Sequence, residues 1–214
     1  MRSQATPRQL VWVLFAVAVA VAIACGGSTV KSPTAATTTD NSTTSGAPTG
    51  PTGTGTLSVT IKDKPLDGAV ALLVKFTEVS VHASGGAWVK LPFAGGFTDR
   101  TCDLMQLKTA VDVLGVGQLD AGHYTQLRLT VSEAKIFFDG APTGITCAAA
   151  IPDPSVNGKT VDVPSGVLRL EPQFDLAAAG TVTIMLDFDA DQSVHQTGNG
   201  KYMMTPVINV VHVQ

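Results

Sequence analysis

Charge is scarce in this chain. Only 14% of its 214 residues are Asp, Glu, Lys or Arg, and the net charge is −3. With no basic excess there is no electrostatic footprint for a phosphate backbone, which argues against nucleic-acid partners. Histidine-based metal sites lack their spacing. His82, His123, His195 and His212 lie far apart, with no HxxxH or HxH pattern, and no CxxC accompanies them. Gly-x-Ser-x-Gly is missing, and nothing marks a Ser-His-Asp set. The expectation is therefore a protein that is not an enzyme. Lys and Glu are few and Val, Leu and Thr many, which favours strands over helices.

The one long apolar run is at the N-terminus. Arg2 and Arg8 precede an uncharged, almost wholly apolar stretch from Leu10 to Ala24. It fits a signal-peptide core better than a membrane span, which needs about 20 apolar residues. Ala22-Ile23-Ala24-Cys25-Gly26-Gly27 follows. A small residue before a cysteine at the end of an apolar run resembles the bacterial lipobox, with Ala22 standing where Leu is usual. The resemblance implies that Cys25 is lipidated and becomes the mature N-terminus. Two or more acyl chains hold a protein stably on a membrane. The expected location is thus outside the cytoplasm, anchored by lipid to the outer membrane or cell surface.

Ser28 to Gly55 is Thr, Ser, Gly and Pro with hardly a large apolar side chain. Such a segment cannot bury enough surface to offset its ordering entropy. It reads as a flexible tether with an r.m.s. span of about 30 Å. The predicted organisation is a signal peptide over 1–24, a lipid-anchored linker over 25–55 and one domain over 56–214.

Within the domain the pattern alternates. Leu57, Val59 and Ile61 share one face and Ser58 and Thr60 the other, as in a half-buried strand. Val70 to His82 is a second strand with Val74, Phe76, Val79 and Val81 as core residues. The change of parity between Phe76 and Val79 predicts a bulge. Trp88 to Leu91 is a short strand. Asp103 to Leu107 reads as another, and Thr109 to Leu114 as one helical turn. Leu119-Asp120-Ala121-Gly122-His123-Tyr124 before the strand Gln126–Val131 looks like a tyrosine corner, whose hydroxyl bonds backbone a few residues upstream. Ile136–Asp139, Lys159–Val163, Val167–Leu170, Gly180–Asp189 and Tyr202–Val213 complete the strands. Many short strands with Gly/Pro turns predict an all-β, antiparallel sandwich with a short helical turn.

Cys102 and Cys147 both lie in loop-like sequence. Outside the cytoplasm such a pair often forms a disulfide, the alternative being two free thiols.

Gly55-Thr56-Leu57-Ser58-Val59 with Asp63 and Pro65, and Phe76-Thr77-Glu78-Val79-Ser80-Val81-His82, resemble the opening of the domain of unknown function 4382 (DUF4382) family. Trp88 to Leu91, Gly122 to Arg128, Leu186 to Asp189, Ser193 to His195, Gly198 to Gly200 and Tyr202 to Val207 continue the resemblance. It implies a prealbumin/Ig-like sandwich, often carried on bacterial lipoproteins, and it implies no activity.

Asp187, Asp189 and Asp191 alternate, so on an extended strand their carboxylates share a face. Clustered like charges call for a cation or donors, and calcium suits oxygen ligands. Asp63 and Asp67 are possible additions. The alternative is a solvated strand end with one Asp capping the next turn. His195, Asn199 and Lys201 belong to a polar loop, either a ligand-binding loop or a turn held by Gly198 and Gly200. The leading expectation is a non-catalytic binding module for a glycan, a peptide or an envelope protein. The others are a self-associating structural component and an extracellular hydrolase.

Overall fold

The computed structural model describes residues 52–214. The leader, Cys25 and the tether as far as residue 51 lie outside the described residues. Among those described, fourteen strands follow in chain order. They are β1 (Thr54–Lys64), β2 (Ala71–Ala83), β3 (Trp88–Leu91), β4 (Arg100–Asp103), β5 (Asp112–Asp120), β6 (Gly122–Phe137) and β7 (Cys147–Ala148). Then come β8 (Lys159–Asp162), β9 (Val167–Leu170), β10 (Phe174–Leu176), β11 (Thr181–Asp189), β12 (Val194–Gln196), β13 (Tyr202–Met204) and β14 (Ile208–Val213). One helical turn, α1 (Ala190–Ser193), and a 3-10 turn, Leu104–Gln106, interrupt them.

The strands form two sheets, as expected of a sandwich. The smaller has the order β14-β11-β1-β5; the larger runs β12-β13-β8-β6-β2-β4-β7, with β3 on β2 and with β9 and β10 on β6. Leu57, Val59 and Ile61 of β1 and Ile184, Leu186 and Phe188 of β11 supply the inner face of the small sheet, all fully buried. Against them lie Leu72, Val74, Phe76, Val79, Val81, Leu127, Leu129 and Ile136 of the large sheet. The bulge in β2 is present: the register with β6 passes from Phe76–Val131 to Glu78–Thr130 and skips Thr77. That extra residue brings Val79 and Val81 back to the core side.

Four features differ from the sequence reading. The sandwich is not wholly antiparallel: β1 runs parallel to β11, and β8 to β13. Sequence alternation reports which face is buried and not which neighbour a strand takes, so strand direction was illegible. The domain begins before residue 56, because β1 starts at Thr54. The helical turn lies at Leu104–Gln106 rather than Thr109–Leu114, because Asp103 caps it by accepting from the Met105 N–H at 3.1 Å. Residues 112–114 instead open β5. The expected strand Tyr202–Val213 is two strands in different sheets. Pro206 cannot donate to a ladder, and the chain crosses between the sheets there, with the Thr205 N–H donating to Ser193 O and the Val207 N–H to Ser193 Oγ.

The side of the sandwich beside β5 is closed by the segment after β3. The Val116 N–H donates to Pro92 O at 3.0 Å, and Phe93 bridges Gly115. Gly115 and Gly117 make the room: a Cβ on Gly117 would stand 2.8 Å from Pro92 Cδ. The buried Arg100 adds a second tie. It donates to Ala94 O and Val113 O and pairs with Asp112 at 2.7 Å.

Candidate functional site

A cleft of about 880 Å³ opens on the large sheet where β6, β8 and the β12–β13 hairpin meet. Its origin is an interruption in the strand beside β6. β8 and β9 both pair with β6 in the same sense, but the residues between them bulge away, and only Gly166 O returns, to accept from the Val131 N–H at 2.7 Å. Ser132 and Glu133 of β6 are therefore exposed to the cleft, with the buried Val131 and Ala134 beside them in its lining. The opposite wall is the hairpin, which supplies Thr197, Asn199, Lys201 and Tyr202.

The hairpin turn is held by its own hydrogen bonds. Thr197 N–H donates to Lys201 O at 2.8 Å, and Gly200 N–H to Thr197 O at 2.9 Å, with Gly200 at φ +78°. Asn199 Oδ1 accepts from the Thr197 hydroxyl at 2.6 Å and from the Lys201 N–H at 3.2 Å. This leaves the Asn199 amide N–H2 group and the exposed Lys201 ammonium without a hydrogen-bond partner among the described residues. Of the three loop residues expected from sequence, Asn199 and Lys201 thus line the cleft. His195 does not: it lies exposed on β12, opposite Met203. Sequence reasoning missed Glu133, Lys159, Asp162 and Tyr202, which also line it. They come from three separate strands, and nothing local marks them.

The three aspartates are not brought together. β11 ends at Asp189 and α1 begins at Ala190, so Asp191 turns off the strand face. Asp189 caps α1, accepting from the Gln192 N–H at 3.0 Å. Desolvation pushes its carboxyl up, but the Gln192 N–H and the Lys64 ammonium outweigh it and hold the group below the usual carboxylate range. Asp187 pairs with Lys62 at 3.1 Å. Among the described residues no three His, Cys, Asp or Glu side chains stand close enough to hold a metal. Of the alternative reading, the capping aspartate is present as Asp189, but it is buried rather than solvated.

Asp63 faces inward beside this strand end. Its Oδ1 accepts from the Ala190 N–H at 3.2 Å, and its buried Oδ2 has no partner among the described residues. Burial pushes its pKa up to about 8, helped by the negative charges of Asp189 and Asp187 and opposed by the Ala190 N–H.

A second polar patch lies on the outer face of the large sheet. Glu78 pairs with Lys90 and with Arg128, each at 2.7 Å, and these contacts, with Lys90 foremost, bring its pKa down to about 2. The Arg128 guanidinium sits 4.4 Å over the Trp88 ring, and the His82 ring packs beside it at 5.2 Å. The ring is occupied by its own neighbours, so this patch reads as internal bracing.

The remaining sequence expectations are structural. The Tyr124 hydroxyl donates to Asp120 O at 2.8 Å, closing the tyrosine corner. Cys102 of β4 and Cys147 of β7 form a disulfide.

These features define a class, an all-β sandwich-like domain with a polar cleft where β6, β8 and the β12–β13 hairpin meet. The chain matches the family model described as "Domain of unknown function (DUF4382)" over residues 54–206, and it belongs to that family. No curated protein and no solved structure matches it.

Proposed function

We propose that the protein is a non-catalytic, lipid-anchored bacterial envelope protein that presents this domain as a binding module. The observation that carries the reading is the cleft, with its pre-set hairpin turn. Its volume lies within the roughly 300–1,000 Å³ of small-ligand sites. A turn already fixed by its own hydrogen bonds loses little entropy on binding. The anchor is supported by the apolar leader ending at Cys25 and by the Ser/Thr/Gly/Pro stretch behind it. That stretch would hold the domain about 30 Å from the lipid. The cysteine bridge fits an oxidising compartment.

The test has two arms. Cys25→Ser is expected to move the protein from the membrane fraction to the soluble fraction of expressing bacteria, and retention of the variant in the membrane removes the anchor. Mixed envelope extract is then passed over the immobilised protein and over Lys201→Ala. Capture of a component that depends on Lys201 supports the module. Equal capture by both proteins sinks the assignment of the cleft.

Self-association is a second reading. It is favoured by β14, an edge strand that exposes Val211 and Val213. A concentration-dependent dimer by sedimentation, broken by Val211→Lys, would support it.

A further inference from the structure

We infer that the cleft takes an uncharged segment of oligosaccharide. This deepens the binding-module reading and rests on it. Four charged residues line the cleft, Lys159 and Lys201 against Glu133 and Asp162, so their formal charges cancel. A site for a phosphate, a sulfated chain or an acidic peptide would show one sign in excess. The groups present suit a ligand that donates and accepts at many points without carrying charge. Asp162 and Glu133 accept from hydroxyls, Lys159, Lys201 and the Asn199 amide donate to them, and Ser132 and Thr160 do both. Bonds from the charged members are the stronger ones. Among the described residues, Lys159, Asp162 and Lys201 are spent on no ion pair.

Tyr202 supplies the apolar element. Its half-buried ring lines the cleft and is steadied by the Phe138 ring at a centroid distance of 5.5 Å. An amphipathic ring among polar groups matches the C–H face of a pyranose flanked by its hydroxyls.

The topology argues against an extended peptide. Strand addition needs an open ladder edge. Here β6 lies between β2 and β8, β8 between β6 and β13, and β13 between β8 and β12. The Val131 N–H is already taken by Gly166 O. Only Ser132 to Ala134 of β6 stand without a neighbour on that side, because pairing with β8 resumes at Lys135, and so short a gap offers side chains rather than an edge that a strand could join. An apolar ligand is disfavoured by the same lining, because charged and hydroxyl groups would lose their hydration without partners.

The experiment is isothermal titration of the full chain with maltotetraose, cellotetraose, chitotetraose and an uncharged hexapeptide. At least one of the sugars is expected to bind at a single site. Asp162→Ala and Lys201→Ala, both on exposed positions, are each expected to weaken it by about tenfold, as for loss of one charge-assisted hydrogen bond. Unchanged thermal midpoints will show that both variants fold. Sugar binding that ignores both variants overturns the assignment. If the peptide binds in the cleft and no sugar does, the module stands and the oligosaccharide falls. If no probe binds, the oligosaccharide falls, and the Lys201-dependent capture from envelope extract decides the module by itself.

Discussion

Asp63 is placed where ionisation is costly: inward on β1, with one oxygen on the Ala190 N–H and the other without a partner among the described residues. With a folded pKa of about 8, it keeps its proton through neutrality. In the unfolded chain it releases that proton near pH 3.9, roughly the ordinary value. Between these limits the folded state binds more protons, so stability falls as pH rises. The contribution is complete below about pH 4 and is lost as pH passes through about 8. Buried Asp103, raised chiefly by desolvation, acts in the same direction. The urea midpoint of the wild type is therefore expected to decline from pH 5 to pH 8. Asp63→Asn should remove more than half of that decline, and an unchanged slope would show that Asp63 is ionised in the fold. Little of this was visible in the sequence, where Asp63 read only as an addition to the aspartate cluster and as part of the family resemblance. Tyr124 and Asp189 were more legible. Each acts within four residues, on Asp120 O and on the Gln192 N–H, and local geometry is what a sequence motif encodes.

At the scale of elements, legibility followed the same rule. Val167–Leu170 and Trp88–Leu91 appear as expected because alternation and flanking turns bound them. The cleft was only half visible. Its hairpin loop is one local segment, whereas its other walls depend on where β8 leaves β6. The packing of Pro92 on β5 was also hidden, since only the third dimension explains two glycines in a strand. Gly117→Val should cost about 1–3 kcal/mol by overpacking against Pro92. Gly122→Ala, with nothing within 4 Å of the new Cβ, serves as a control expected within about 0.5 kcal/mol of wild type. Equal midpoints for the two variants in urea would mean that the Pro92 segment yields and does not seal the sandwich.

For the whole molecule, the Cys102–Cys147 bond closes a loop of sequence separation 45. In the chain-entropy picture this restricts the unfolded ensemble and contributes about 4 kcal/mol. Reduction, or the double change Cys102→Ala with Cys147→Ala, should lower the unfolding free energy by roughly that amount. A loss below about 1 kcal/mol would place the cross-link between segments already fixed by Arg100 and Asp103. Those two reach the same loop, through Cys147 O and the Thr143 hydroxyl.

The parallel pairing of β1 with β11 bears on how the chain is made. Lys64 meets Asp189 across a separation of 125 residues. The first strand of the domain therefore has no lasting partner on one side until nearly all the rest has emerged. Distant closure of this kind slows folding. A thread that stays loose until its last strands arrive hardens late, and the order in which the strands are written sets that delay.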